Sequence, residues 1–178
     1  TISIAIICEM TRLLITISLL TQLVGVSQDF SLRKSKLKII PDSVFVKTDL
    51  TSLNLSKNKL TSVPDKISNL SSLKILDLSN NDITILPESI CDLTKLEELI
   101  IYKNEIIVIP TCLVNLSELK VIDAWANRIE YLSNELTGLD NLKLVEVRLN
   151  PIGQSEQNRL IELFPQIKFE FTSDCGCD

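Results

Sequence analysis

The sequence contains no histidine, and this absence excludes more activities than any other feature of the composition. Without an imidazole the chain has no Ser-His-Asp or Cys-His nucleophile pair, no HExxH zinc site and no histidine pH switch. Glycine is also scarce, and neither GxGxxG nor GxxxxGK[ST] occurs around Gly25, Gly138, Gly153 and Gly176. We therefore predict no catalytic residues, no metal site, no cofactor and no small-molecule substrate.

Positive charge and aromatic side chains are scarce as well. Subtracting 23 acidic from 18 basic residues leaves a formal charge of −5, whereas a nucleic-acid-binding surface needs a surplus of lysine and arginine. Only 4% of the residues are aromatic although 45% are hydrophobic, so branched aliphatic side chains must fill the core. The length of 178 residues fits one domain. These numbers predict one aliphatic-cored domain that does not bind nucleic acid.

Residues 1–27 are predicted to be a signal peptide or leader. The chain opens on Thr1, and Met10 is a credible true start. From Met10 onward one arginine supplies positive charge, an apolar stretch covers 13–24, and small residues precede Gln28. A membrane anchor is the competing interpretation, but the uninterrupted apolar run is shorter than the ~20 residues that a bilayer requires. The sequence favours a secreted or extracytoplasmic protein over a cytoplasmic one, with membrane attachment only if the leader is retained.

A repeat of 23 residues runs through most of the chain. The core Leu53-Asn54-Leu55 recurs as Leu76-Asp77-Leu78 and then three more times without a shift in spacing. Five positions after the first core residue stands an asparagine in every unit: Asn58, Asn81, Asn104, Asn127 and Asn150. Later in the unit a proline recurs, with one serine in its place: Pro64, Pro87, Pro110 and Ser133. A weaker sixth unit precedes these, from Phe30 to Val44.

The alternation in each core predicts a short strand, with the two apolar side chains buried and the residue between them in solvent. Strands that recur at a fixed interval stack into a parallel sheet. An asparagine amide carries both donor and acceptor groups, so it can satisfy the backbone of the tight turn after each strand. We predict that the five asparagines form a ladder along the array.

These units resemble the leucine-rich repeat family, whose pattern is LxxLxLxxNxL, and more narrowly its short type with LPxxIxxLxxL in the second half. The clearest unit runs from Leu73 to Leu93. The resemblance implies an α/β fold, a solenoid with a curved parallel β-sheet on its concave face and short helical or 3-10 return segments on its convex face. We expect about six repeats over 28–153, a helix-strand cap over 154–171 and a cysteine-containing tail over 172–178.

The cap is predicted to begin with a short helix that Ser155 caps and Pro165 ends. The apolar face of this helix is expected to carry Leu160, Ile161, Leu163 and Phe164. From Ile167 to Phe171 apolar and polar residues alternate, which predicts a half-buried strand that closes the sheet.

The resemblance also implies that the concave sheet binds a protein or peptide. Tyr102 and Trp125 are expected side by side on neighbouring strands, with Arg148 one strand further on, and these residue types dominate binding hot spots. The predicted partner-binding residues are Ile75, Asp77, Glu98, Ile100, Tyr102, Val121, Asp123, Trp125, Leu144, Glu146 and Arg148.

We predict non-catalytic recognition by an exported protein, and two alternatives stay open. The first is a cytosolic leucine-rich repeat signalling scaffold, which requires residues 1–27 not to be a signal. The second is a structural or assembly protein linked through its C-terminal cysteines. An enzyme has the least support, because carboxylates such as Asp77 and Asp123 lie on an open sheet that excludes no water.

The five cysteines include Cys8, which is removed if the leader is cleaved. The four that remain suit an oxidising compartment. Cys91 and Cys112 are expected on the convex side of adjacent units, where they can form a bridge or serve as separate small residues. Cys175 and Cys177 lie in the tail and are also possible disulfide cysteines, whereas a CxC pair without histidine offers too few ligands for a structural zinc ion.

Overall fold

The computed structural model describes residues 28–172. Within this range seven short strands form one parallel sheet in chain order. They are β1 (Asp29–Ser31), β2 (Ser52–Asn54), β3 (Ile75–Asp77), β4 (Glu98–Ile100), β5 (Val121–Asp123), β6 (Leu144–Glu146) and β7 (Lys168–Glu170). Leu53 pairs with Leu76, 23 positions on, whereas the last pairing joins Val145 to Phe169, 24 positions on. The predicted solenoid fold with a parallel sheet is confirmed.

The strands β2 to β6 each bury their middle residue, and their flanking residues point to the opposite side of the sheet. Leu53, Leu76 and Leu99 are fully buried, and so are Leu55 and Leu78 in the next inward position. Burying one such side chain contributes about 1.5–3 kcal/mol, which a single repeat cannot achieve without its neighbours. The solvent-facing side of this sheet is called the concave face below.

The return segments on the other side of the solenoid are short 3-10 helices. Within the described residues they are Asp42–Val44, Asp65–Asn69, Glu88–Asp92, Thr111–Asn115 and Asn134–Gly138. Proline stands directly before the first four, where its fixed φ suits the helix entrance and its missing N–H is not needed. Ser133 replaces it before the fifth, and its hydroxyl accepts a hydrogen bond from the N–H of Glu135. This hydrogen bond caps the fifth 3-10 helix and explains why its repeat tolerates the loss of proline.

The repeated asparagines form a ladder of buried hydrogen bonds. Asn58 donates from Nδ2 to the carbonyl of Leu55 in its own repeat at 2.7 Å and to that of Leu32 in the preceding repeat at 2.9 Å. Its Oδ1 accepts from the N–H of Leu37 at 3.0 Å. The same three contacts recur at Asn81, Asn104, Asn127 and Asn150. Each asparagine therefore closes a turn in the repeat before its own.

The residue before each ladder asparagine has a left-handed backbone, and so does Lys34 at the equivalent place before Ser35. These residues are Lys34, Lys57, Asn80, Lys103, Ala126 and Leu149, with φ between 53° and 59°. Asparagine and glycine adopt this conformation most readily, and other residues pay about 1–2 kcal/mol for it. Only Asn80 is a favoured type, so the turns are held by the ladder rather than by local preference.

The C-terminal cap contains the helix α1 (Gln154–Leu163) followed by β7. The prediction that Ser155 caps the helix is wrong: Gly153 is the N-cap residue and makes no side-chain cap. The predicted apolar face is also only half correct, because Leu160 and Phe164 are buried whereas Ile161 and Leu163 are 57% and 37% exposed. The helix therefore packs on the repeats through a narrow stripe formed by Leu160 and Phe164, which lie one helical turn apart.

A charged clamp ties α1 to the last full repeat. Glu156 accepts two hydrogen bonds from Arg159, at 2.7 and 2.6 Å, and one from the N–H of Leu132 at 3.2 Å. Arg159 also donates to the Leu132 carbonyl at 2.6 Å and lies over the ring of Tyr131. The hydrogen bonds from Arg159 lower the pKa of Glu156.

Cys91 and Cys112 form a disulfide between adjacent return segments, with their Cα atoms 5.8 Å apart. The open question about this pair is thereby answered in favour of a bridge. The leader over 1–27, with Cys8, and the tail cysteines Cys175 and Cys177 lie outside the described residues. Over residues 28–172 no helix is long and apolar enough to cross a membrane.

Candidate concave-face interface

The eleven predicted partner-binding residues come together on the concave face of β3 to β6 or directly after these strands. One row follows the first position of the strands, where the register joins Ile75, Glu98, Val121 and Leu144. A second row follows the third position and joins Asp77, Ile100, Asp123 and Glu146. The first row is therefore mainly apolar and the second mainly acidic, and most of the eight side chains are half-buried.

Tyr102 and Trp125 follow β4 and β5 and lie side by side, with ring centroids 5.9 Å apart and planes inclined by 46°. Both rings are half-buried. Sequence reasoning missed a third member of this group, Lys103, whose Nζ lies over the Trp125 ring at 4.6 Å from its centroid. The signal in the sequence was its place just before Asn104, at the left-handed turn position.

The repeat spacing predicts the Arg148 guanidinium beside Tyr102 and Trp125, but the guanidinium contacts carboxylates instead. Its guanidinium binds the Glu146 carboxylate through Nε at 3.0 and 2.9 Å and reaches Glu170 on β7 at 3.4 Å. Glu146 is only 8% exposed, and an unpaired charge with so little access to water would be costly. The cation on the Trp125 ring is therefore Lys103, whereas Arg148 neutralises the Glu146 carboxylate on the neighbouring strand.

The other two carboxylates of the second row differ in their surroundings. Asp77 accepts hydrogen bonds from the Asn54 amide at 2.8 Å and from the Ser79 hydroxyl at 2.7 Å. Asp123 accepts a long one, 3.4 Å, from the N–H of Trp125. Burial raises the pKa of Asp123, and the charge of Glu146 adds to the same shift.

Charge is distributed unevenly over this face. The solvent-facing positions of the seven described strands hold six carboxylates, Asp29, Asp77, Glu98, Asp123, Glu146 and Glu170, and one ammonium group, Lys168. The loop edge that follows the strands holds basic residues instead: Arg33, Lys34, Lys57, Lys103 and Arg148. The interface therefore consists of an acidic floor beside a basic edge, with the aromatic pair at the boundary.

An open groove of about 590 Å³ continues from Trp125 toward the C-terminal end, and its lining includes Leu149, Phe169 and Phe171. Phe169 and Phe171 stack with centroids 5.5 Å apart. The N–H of Leu149 donates to the hydroxyl of Thr172 at 2.6 Å, which fixes the end of this surface. The sequence alone did not place the cap residues in the site, because the extra residue in the last pairing hides their alignment with β6.

The arrangement offers contact area, aromatic faces and charge. Among residues 28–172 no group of three or more cysteine, aspartate or glutamate residues is placed to hold a metal ion.

Several solved structures resemble this fold over most of its length. Internalin C2 of Listeria monocytogenes is 29% identical, with a TM-score of 0.65, and the match covers 76% of this chain and 57% of that chain. A leucine-rich repeat protein of Leptospira interrogans is 28% identical, with a TM-score of 0.62, over 76% of this chain and 41% of that chain. This chain thus spans less than two thirds of either protein.

A third structure is the leucine-rich repeat ectodomain of the Arabidopsis thaliana receptor kinase GASSHO1/SCHENGEN3 in complex with Casparian strip integrity factor 2. It is 35% identical, with a TM-score of 0.58, over 63% of this chain and 14% of that chain. No curated protein matches the sequence. The family model for leucine-rich repeat regions matches residues 33–168, and the chain therefore belongs to the leucine-rich repeat family.

Proposed function

We propose that this protein is a non-catalytic recognition module that binds a protein or peptide on its concave face. The observation that carries the proposal is the pair of Tyr102 and Trp125 on adjacent repeats, with Lys103 over the Trp125 ring, beside the half-buried Ile100 and Val121. Rigid aromatic side chains surrounded by apolar and charged neighbours have the composition of a binding hot spot. A leucine-rich repeat receptor of similar fold has been solved with a bound factor, which supports the same mode here.

The test is capture of partners by the oxidised protein, comparing wild type with Trp125→Ala and Tyr102→Ala. Ile85→Ala is the matched control, because Ile85 is 70% exposed and lies outside the concave face. We expect both aromatic variants to lose captured partners at least tenfold while the control retains them. Equal capture by all four proteins would contradict the proposal.

We also propose that the protein is exported. The apolar stretch after Met10 has the plan of a signal segment, and the Cys91–Cys112 disulfide is of a kind that persists in oxidising compartments. Intact mass of the protein from its native source, measured with and without reductant, tests this. We expect a mature amino terminus at Gln28 and a mass that rises on reduction, whereas a retained leader with free thiols would favour the cytosolic scaffold.

A further inference from the structure

A groove of about 320 Å³ lies where the aromatic pair meets the acidic floor, and it is called the aromatic groove below. Its lining residues are Lys57, Asn80, Tyr102, Lys103, Asp123, Trp125, Glu146 and Arg148. Two aromatic rings, two carboxylates and three cations therefore converge on it from adjacent repeats. Its chemistry depends on which of its charges are already satisfied within the protein.

Two of the three carboxylates in the second row have strong partners. Glu146 is held by Arg148 in a two-pronged contact, and Asp77 is held by the Asn54 amide and the Ser79 hydroxyl. Among residues 28–172 no lysine or arginine lies within ion-pair distance of Asp123, and Arg148 attracts its charge only from a longer distance. The one hydrogen bond of Asp123 in this range is the long one from Trp125.

Asp123 is also partly removed from water, and burial raises its pKa. A carboxylate in this condition gains more from a new cation than an exposed one does, because less water screens the pair. It stands beside the Tyr102 and Trp125 rings, whose faces attract cations as well.

The Trp125 ring already carries a cation from the protein itself. Lys103 Nζ lies 4.6 Å from its centroid. The face of the ring therefore already accommodates one ammonium group. An incoming cation would compete with Lys103 for the ring face and would be held by Asp123 as well.

We infer that the partner of this interface inserts a lysine or arginine side chain into the aromatic groove, between Asp123 and the faces of Tyr102 and Trp125. This inference rests on the proposed function and specifies the partner as a segment with positive charge. Ile100 pairs with Asp123 in the sheet register and Val121 begins the same strand as Asp123, so these apolar side chains suit the neighbouring residues of such a segment.

The experiment uses the single tryptophan as a reporter, because the chain gives one indole N–H resonance in a proton-nitrogen correlation spectrum. The probe is an acetylated and amidated pentapeptide with a central arginine between two glycines and two terminal isoleucines. Its counterpart has glutamine at the centre. We expect the arginine peptide to shift the Trp125 indole resonance with at least about tenfold higher affinity than the glutamine peptide.

Two variants move the affinity in opposite directions. Asp123→Asn should weaken the arginine peptide about tenfold and leave the glutamine peptide unchanged. Lys103→Met should strengthen the arginine peptide about two- to fivefold, because it frees the ring face. Glu162→Gln on α1 is the matched control, since this exposed carboxylate gives the same change in net charge as Asp123→Asn.

Equal affinity for the two peptides would overturn the inference, and so would an Asp123→Asn protein that binds the arginine peptide as wild type does. A loss in Glu162→Gln as large as in Asp123→Asn would also overturn it, because net charge alone would then explain the binding. The failure of this inference can be told apart from the failure of the proposed function. If captured partners require Trp125 but bind the Asp123→Asn protein as they bind wild type, the interface stands and only the inferred cation is refuted.

Discussion

Asn104 offers the most direct test of what holds the repeats together. Its Nδ2 donates to the carbonyls of Ile101 at 2.9 Å and Leu78 at 3.1 Å, and its Oδ1 accepts from the N–H of Ile83 at 3.1 Å. Asn104→Ala leaves these three backbone groups buried without that partner. At about 1–1.5 kcal/mol for each lost bond, the free energy of unfolding should fall by roughly 3–5 kcal/mol. That is a large share of the ~5–15 kcal/mol by which a domain is usually stable.

The assay is urea unfolding of the oxidised protein, followed by the fluorescence of Trp125. Asn115→Ala is the matched control, because Asn115 is exposed and ends a return segment, and it should change the unfolding free energy by less than about 0.5 kcal/mol. Asn150→Ala should cost less than Asn104→Ala, since Asn150 is half-buried at the end of the ladder. A loss below about 1 kcal/mol for Asn104→Ala, or equal losses at Asn104 and Asn115, would refute the ladder as the main fastening.

Three further predictions concern packing, backbone conformation and charge. A Cβ added at Gly138 would lie 2.5 Å from Val114 Cγ2, so Gly138→Ala should lower the unfolding free energy by about 1–3 kcal/mol; an unchanged thermal midpoint would contradict this. Ala126 has φ 55°, so Ala126→Gly should raise the unfolding free energy by about 1 kcal/mol in urea, and a decrease would show that the turn is not strained. Because the folded pKa of Glu156 lies below its ordinary value, its contribution is present at neutral pH and is lost as the pH falls. Arg159→Met should therefore cost about 1–3 kcal/mol at pH 7 and progressively less between about pH 5 and pH 3, and a pH-independent cost would contradict the assignment.

The repeating part of the structure could be predicted from the sequence because each feature is stated several times. Leu53, Leu76 and Leu99 are each 23 residues apart, and a wrongly placed strand would break this interval. The register of the sheet therefore followed from the spacing alone. The ladder followed for the same reason, since a buried turn needs a side chain that both donates and accepts.

Features that occur once were harder to predict. The cap has no second copy to average over, so Ser155 looked like a helix cap although Gly153 occupies that place. Ile161 and Leu163 were assigned to the core by their hydrophobicity, but only the stripe with Leu160 meets the array.

The partner of each charged side chain was also beyond the spacing rule. Strand spacing predicts Arg148 near the aromatic pair, but Arg148 forms an ion pair with the nearly buried Glu146 instead. Leaving that carboxylate unpaired would cost more free energy than a cation–π contact contributes. Lys103 then became the cation on Trp125. Such choices depend on the burial of each carboxylate, which the repeat pattern does not express.

The direction of the asparagine ladder has a consequence for the order in which the chain can fold during synthesis. The turn that contains Leu37 is closed by Asn58, 21 residues later, and the turn with Leu60 by Asn81. At about 5–20 residues per second, each turn waits roughly one to four seconds after its own translation before its fastener exists. The growing chain therefore always carries one unfinished repeat behind the ribosome. At the last repeat no further asparagine follows Asn150, and the N–H of Leu149 donates to the hydroxyl of Thr172, where the equivalent N–H groups of earlier repeats donate to a backbone carbonyl of the next repeat.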